Sequence, residues 1–267
     1  MARIIAIANQ KGGVGKTTTA INLSASLATT GRRVLMVDMD PQGNATTGSG
    51  INKNDTDNTI FEVLMGEVSV ADSVQEASAT GYFVLPANSN LSAAEIGLLE
   101  QKNRESCLKK ALRPAVNDYD FIILDCPPSL SMLTVNALTA ADGVLVPMQC
   151  EYFALEGLTD LLNTVKRVTE VVNPNLKLEG ILRTMYDPRS SLTKDVSKQL
   201  LDYFDEQVYQ TCVPRNIRLA EAPSHGLPVL AYDKRSRGAL AYLALAGEVL
   251  RQQDVVDDAP SIGGLAE

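Results

Sequence analysis

The chain has 267 residues, of which 45% are hydrophobic and 21% charged, and its formal net charge is −8. This composition is ordinary for a globular protein, and we expect a single domain over residues 1–252 with an acidic disordered tail over 253–267. The negative charge excludes nucleic-acid binding over the whole surface. Neither a membrane-spanning apolar run nor a signal-peptide pattern is evident, which predicts a cytosolic protein.

The first motif is a glycine-rich loop between a strand and a helix. An apolar run from Ile4 leads into Asn9-Gln-Lys-Gly-Gly-Val-Gly-Lys-Thr-Thr18, and a helical pattern covers residues 18–30. Glycines let backbone N–H groups converge on phosphate oxygens, Lys16 can reach the β- and γ-phosphates, and the Thr17 hydroxyl can bind Mg²⁺. The alternative is a plain turn. The predicted nucleotide-binding set is Lys11, Gly12, Gly13, Val14, Gly15, Lys16, Thr17 and Thr18.

Carboxylates follow two predicted strands. Residues 33–38 form the second strand of a β-α-β unit, which predicts a parallel sheet, and Asp38 and Asp40 stand at its carboxyl end. Ligands bind at this edge of an open α/β sheet, although Asp40-Pro41 is also compatible with a simple turn. A second apolar strand ends at Asp125, an arrangement in which the carboxylate holds Mg²⁺ through a water molecule.

The remaining pattern alternates strands and helices. We predict helices over residues 60–65, 92–115, 158–172, 191–204 and 238–252, and strands over residues 82–86, 142–147, 177–183 and 208–213. Ser92 and Glu95 form a capping-box pattern, and Leu240, Leu243, Ala244 and Leu250 have core spacing on the last helix. The widely spaced cysteines indicate buried reduced thiols, and the lone His225 indicates a structural role. The fold class is therefore α/β, with a mostly parallel twisted sheet and helices on both faces.

The segment from Lys11 to Thr17 resembles the deviant Walker A motif of the ParA/MinD group of P-loop ATPases. From Ile4 to about Leu250, the chain resembles the ParA/Soj partition ATPases of that group, which implies a P-loop NTPase-like fold and Mg²⁺-dependent ATP hydrolysis. By this resemblance, Lys11 reaches the partner's phosphates in an ATP-dependent homodimer and Asp40 orients the attacking water. The resemblance also implies that Asp38 lies beside the metal and that Pro214 and Asn216 contact the base.

A basic surface is the last feature. Residues 214–238 contain five Lys or Arg side chains against two carboxylates, an excess of 5 − 2 = +3, which on composition alone indicates a solvated face. The resemblance assigns Arg189 and Arg218 to non-specific contacts with double-stranded DNA, and Lys234, Arg235 and Arg237 are further candidates.

The resemblance as a whole predicts a cytoplasmic, nucleoid-associated partition ATPase with no membrane partner. It would be released from DNA when a ParB-type centromere-binding protein stimulates hydrolysis, and so drive chromosome or plasmid segregation. Three alternatives stay open at this point. One is a MinD-type membrane-associated positioning ATPase, one is a reductase resembling the nitrogenase iron protein with Cys126 as a cluster ligand, and one is a small-molecule ligase.

Overall fold

A computed structural model describes residues 1–77 and 79–257. Within them, eight strands form one sheet in the order β3-β4-β2-β5-β1-β6-β7-β8, in which every neighbouring pair is parallel except β3 and β4. The strands are β1 (Arg3–Ile7), β2 (Val34–Asp38), β3 (Gln75–Ala77), β4 (Tyr82–Leu85), β5 (Phe121–Asp125), β6 (Gly143–Gln149), β7 (Lys177–Tyr186) and β8 (Val208–Pro214). The expected α/β fold with a mostly parallel sheet is confirmed.

Helices cover both faces of the sheet. They are α1 (Lys16–Ala28), α2 (Asn44–Gly48), α3 (Ile60–Met65), α4 (Val70–Ser73), α5 (Leu91–Leu99), α6 (Cys107–Leu112), α7 (Met132–Ala140), α8 (Ala154–Val171), α9 (Ser191–Phe204), α10 (Ile217–Glu221), α11 (Val229–Tyr232) and α12 (Arg237–Asp257). One hydrophobic core contains side chains of α3 and of α5 to α9, and the other contains side chains of α1 and of α10 to α12. Every residue of β2 and β5 is buried, as expected for strands covered on both faces.

The predicted helix over 92–115 is wrong as a single element. The chain forms α5, a 3₁₀ turn at Arg104–Ser106 and α6, and Asn103 before that turn has a left-handed φ of 55°. Asparagine tolerates this conformation, which ends a helix. Ser92 lies inside α5 and caps nothing. The capping box is at α3 instead, where Thr59 and Glu62 satisfy each other's backbone N–H groups.

The last helix matches the predicted stripe only in part, since Leu243 and Leu250 are half-buried and Leu250 packs against the core. Leu240 is 55% exposed and Ala244 is exposed, whereas Tyr242, Leu245 and Val249 are buried. Both stripes are apolar, so periodicity alone does not select the buried one. Helix α12 continues to Asp257, beyond its predicted end, and residues 258–267 of the predicted tail lie outside the described residues.

All four cysteines are free thiols, and all but the half-buried Cys212 are buried, as expected. The lone histidine, His225, stacks on Tyr232 with ring centroids 5.0 Å apart. Among the described residues, no helix is both long enough and apolar enough to cross a membrane.

Candidate nucleotide site

The glycine-rich loop leads from the end of β1 into the first residue of α1. Gly13 and Gly15 have left-handed φ angles of 74° and 89°, and Gly15 stands just before α1. These conformations turn the chain tightly enough to direct backbone N–H groups inward, and the amino end of α1 adds its partial positive charge. The loop therefore has the backbone geometry of an anion site.

Two side chains outside the predicted set hold this loop. The Asn9 amide donates to the Pro147 carbonyl at 2.8 Å, and its oxygen accepts from the Lys11 N–H at 2.9 Å. The Thr184 hydroxyl, at the end of β7, donates to the Val14 carbonyl at 2.8 Å. Asn9 and Thr184 are both buried, so these bonds tie the loop to β6 and β7 and stiffen it before any ligand arrives.

Lys16 is the buried cation of the site, with 7% of its surface exposed. Its ammonium donates to the Lys11 carbonyl at 3.2 Å. Burial lowers the pKa of Lys16, and the nearby Asp125, Cys126 and Asp40 oppose that shift. A cation held in this way offsets the charge on phosphate oxygens without displacing much water.

The sheet brings Asp38 and Asp125 side by side, because they are register partners at the carboxyl ends of β2 and β5. Both residues are fully buried. Asp38 accepts from the Asp40 N–H at 3.1 Å and from the Thr46 N–H and hydroxyl, both at 2.8 Å. Burial raises its pKa to about 6. Its hydrogen bonds fold the segment from Asp40 to Thr46, so Asp38 organises this segment beside the predicted metal position.

Asp125 differs from Asp38 because, among the described residues, no donor lies within hydrogen-bonding geometry of either of its carboxylate oxygens. Burial, reinforced by the charge of Asp38, raises the pKa of Asp125 well above its ordinary value. The Thr17 hydroxyl lies close enough to oppose that rise. A buried, unpaired carboxylate beside a hydroxyl at a helix amino end fits a hard divalent cation such as Mg²⁺. Thr17 and Asp125, the latter through a water molecule, would hold that ion.

Asp40 is half-buried at the mouth of the site. One of its carboxylate oxygens accepts from the Gln42 N–H at 2.9 Å, and the other oxygen has no hydrogen-bond partner within residues 1–77 and 79–257. Its charge acts on Lys16. Asp40 therefore lies in the neighbourhood of Lys16, and its role in orienting water stays a prediction.

The predicted base contacts lie together with the loop. A cavity of about 200 Å³ is lined by Gly15 and Thr18 of the loop and α1, by Thr184 of β7, and by Pro214 and Asn216. The Asn216 side chain also caps α10 by accepting from the Arg218 N–H at 2.9 Å. The structure thus places the predicted base-contacting residues next to the predicted phosphate-binding residues.

Lys11, the additional lysine of the loop, is in a different environment from Lys16. Its ammonium is 2.6 Å from the Glu151 carboxylate, and the two side chains are 41% and 50% exposed. An exposed pair of this kind contributes little stability, roughly 0.2–1 kcal/mol. Lys11 is therefore at the surface next to the loop, where it can exchange partners.

The predicted DNA-contacting arginines are exposed but paired with carboxylates. Arg189 is 2.8 Å from Asp187, and Arg218 is 2.8 Å from Glu221 and 3.4 Å from Asp233. The Arg218–Asp233 pair joins α10 to the turn that carries the other predicted basic residues. These are exposed as well, namely Lys234, Arg235 and Arg237.

Comparisons with known proteins identify the family of the chain. A family model described as an AAA domain (AAA_31) matches residues 2–178. The chain is 53% identical over 249 residues to the sporulation initiation inhibitor protein Soj of Bacillus subtilis, covering 93% of this chain and 98% of that protein. It is 51% identical over 252 residues to the chromosome partitioning protein ParA of Myxococcus xanthus, covering 94% of this chain and 89% of that protein.

Among solved structures, the chain resembles cobyrinic acid a,c-diamide synthase from Mycobacterium smegmatis with bound ADP and magnesium. The TM-score is 0.85 at 39% identity, and the match covers 99% of this chain and 100% of the other. The relatives named Soj and ParA match at higher identity and over nearly the whole length of both chains. The chain therefore belongs to the ParA/Soj family of chromosome-partitioning ATPases.

Proposed function

We propose that this ATPase dimerises when it binds ATP and Mg²⁺, and that the dimer holds double-stranded DNA without sequence preference. Hydrolysis, stimulated by a ParB-type centromere-binding protein, separates the dimer and releases the DNA, and repeated cycles drive segregation of a chromosome or plasmid. The protein would then be cytoplasmic and associated with the nucleoid. ATP acts in this cycle both as the fuel and as part of the dimer interface.

One observation supports the dimer more than any other, namely the separation of the two loop lysines. Lys16 is buried next to Asp125, so the chain supplies its own phosphate-neutralising cation. Lys11 is exposed, and in the part of the chain that the structure describes its ammonium pairs with the exposed Glu151 carboxylate. A lysine in this position is available to the phosphates of a second chain, as the family resemblance implies.

The chemistry of hydrolysis then follows from residues of this chain. Mg²⁺, when bound, supplies positive charge to the phosphate oxygens, and Thr17 and Asp125 would hold it. Lys16 and the loop N–H groups offset the charge that develops on the transferred phosphoryl group, and Asp40 orients the attacking water. The buried bonds of Asn9 and Thr184 keep the loop in place during this step.

The proposal is tested by DNA retention with ATP, with ADP and without nucleotide. We expect retention with ATP only, and a decline as salt rises, because phosphate contacts release counterions. Asp40→Ala should slow hydrolysis by roughly 10²–10⁴-fold and stay on DNA with ATP. Arg218→Ala should lose retention, whereas Arg167→Ala, which removes an exposed arginine from α8 on the other face of the sheet, should not. Equal retention with ADP, or by Arg218→Ala, would contradict the proposal.

A second candidate is suggested by the structural match, since the M. smegmatis protein is described as cobyrinic acid a,c-diamide synthase. It predicts that cobyrinic acid, rather than DNA and a ParB-type protein, stimulates ATP turnover. The reductase alternative is disfavoured, because Cys126 is 1% exposed and its thiol is not at the surface. For the MinD-type alternative, ATP-dependent co-sedimentation with anionic vesicles is the deciding measurement.

A further inference from the structure

The arginines predicted to contact DNA are each bound by a carboxylate of the same chain. Asp187 binds Arg189 with both carboxylate oxygens, one accepting from Nε at 2.9 Å and the other from a terminal guanidinium nitrogen at 2.8 Å. The Arg189 side chain is 88% exposed, so nothing else in the described residues covers it. The hydrogen bonds that Asp187 accepts from Arg189, aided by the charge of Arg215, lower the pKa of Asp187 to about 2. This carboxylate therefore stays charged at any physiological pH.

Arg218 is bound in a similar way from two sides. Glu221 accepts from one terminal guanidinium nitrogen at 2.8 Å, and Asp233 lies 3.4 Å from Nε. The Tyr232 hydroxyl donates to the same Glu221 oxygen at 3.3 Å, which fixes the carboxylate in place. The charged side chains of this cluster are exposed to 47% for Arg218, 38% for Glu221 and 37% for Asp233, so a ligand from solvent can reach them.

Carboxylate and phosphate bind a guanidinium through the same planar fork of N–H donors. Because a guanidinium carries five N–H donors, a DNA phosphate can bind Arg189 or Arg218 beside the carboxylate or in its place. In either case it competes with Asp187 or Glu221 for the positive charge, and it meets their negative charge as it approaches. We propose that Asp187 and Glu221 are built-in competitors of DNA phosphate that set the affinity of this surface. The inference rests on the proposed function, since it assumes that these arginines bind DNA.

The strength of these pairs suits a role in tuning rather than in blocking. Exposed ion pairs are weak, so a phosphate can displace the carboxylate from the arginine. Breaking the pair reduces the binding free energy that each arginine–phosphate contact contributes. Weak individual contacts make binding depend on the number of arginines engaged at once. A single chain offers two such arginines and a dimer offers four. The competing carboxylates therefore increase the difference in DNA affinity between monomer and dimer.

The test is to neutralise each competitor without changing its shape. Asp187→Asn and Glu221→Gln keep the size and part of the hydrogen bonding, and each removes one negative charge. The matched control is Glu170→Gln, which breaks the exposed Lys166–Glu170 pair, 3.9 Å long, on α8, away from both arginine pairs in the sequence and on the opposite face of the sheet from α10. Binding to a duplex of random sequence is measured with ATP and with ADP over a range of salt concentrations, and thermal melts confirm folding.

We expect Asp187→Asn and Glu221→Gln to bind DNA about 3- to 10-fold more tightly than wild type with ATP, and the control to differ by less than about 2-fold. Retention with ADP should also rise, because single chains then bind better. Affinities no higher than that of Glu170→Gln would overturn the inference while leaving the proposed function intact. Absence of DNA binding by the wild type and by both variants with ATP would overturn the proposed function, and the inference with it.

Discussion

Replacement of Asp125 is expected to affect stability and nucleotide binding in opposite directions. Both of its carboxylate oxygens are buried without a hydrogen-bond partner, and fully buried Asp38 lies beside it in the sheet. Asp125→Asn keeps the shape of the side chain and removes the charge. We therefore expect the nucleotide-free variant to be more stable than the wild type, and to lose the part of nucleotide affinity that depends on Mg²⁺.

The expected magnitude follows from the burial. An unsatisfied buried polar group costs about 1–3 kcal/mol, and more when it is charged. The asparagine amide remains imperfectly paired, so the net gain should be about 1–2 kcal/mol, which corresponds to a rise in Tm of roughly 2–6 °C for a chain of this size. In the wild type, Mg²⁺-ATP at 100 times its Kd should stabilise by about 2.7 kcal/mol, and the variant should lack most of that gain.

The assay is thermal unfolding near pH 7.5 with EDTA, with ATP and EDTA, and with ATP and Mg²⁺. Asp38→Asn is the matched control, since Asp38 is equally buried at the same sheet edge but accepts three hydrogen bonds. Its amide would turn a donor toward an existing donor, so this variant should not gain stability. The reasoning fails if Asp125→Asn is less stable than wild type in EDTA, or if Mg²⁺ adds the same stabilisation to both.

Three further predictions concern the surroundings of the site. Burial raises the folded-state pKa of Asp38 to about 6, so between about pH 4 and 6 the folded chain keeps a proton that the unfolded chain has lost. The free energy of unfolding of the nucleotide-free protein should therefore fall by roughly 3 kcal/mol as the pH rises from about 4 to 6, measured as the difference between wild type and Asp38→Asn. Thr184→Val should weaken nucleotide binding about 3- to 10-fold in titrations, while Thr184→Ser restores it. Gly226→Ala should lower the free energy of unfolding in denaturant melts by about 1–3 kcal/mol more than Gly66→Ala. Both glycines have left-handed φ angles, but a Cβ at Gly226 would lie 2.8 Å from Gly50, whereas a Cβ at Gly66 would have no neighbour within 4 Å in the described residues.

The elements with a local signal were predictable from the sequence. Helix α9 has the bounds predicted from the sequence, and in the structure the Ser190 side chain caps its start. The loop and the ends of β2 and β5 were predictable because the glycine-lysine pattern and the strand-ending carboxylates are contiguous in sequence. The strand order then brings them together, since parallel strands align their carboxyl ends at one edge.

The features that escaped prediction depend on distant partners or on competing local signals. The Thr184 bond to the loop joins residues 170 apart, and the Asn9 bond to Pro147 joins residues 138 apart, so no local pattern indicates either. The break before α6 had only the weak signal of Asn103, whereas the capping box at Thr59 was readable and was missed. On α12, a second apolar stripe competes with the buried one.

The charges at the sheet edge explain why the nucleotide site requires help from outside. Asp38, Asp40 and Asp125 contribute three carboxylates, against which the site itself sets only Lys16, because Lys11 is bound to Glu151. Phosphates entering this edge add further negative charge. Mg²⁺ and a released Lys11 are the groups that can offset it, and the second of these has an exposed, weakly held position. Under the proposed function, we therefore expect the same imbalance that makes Asp125 costly in the empty protein to favour the metal-loaded, paired state once nucleotide is bound.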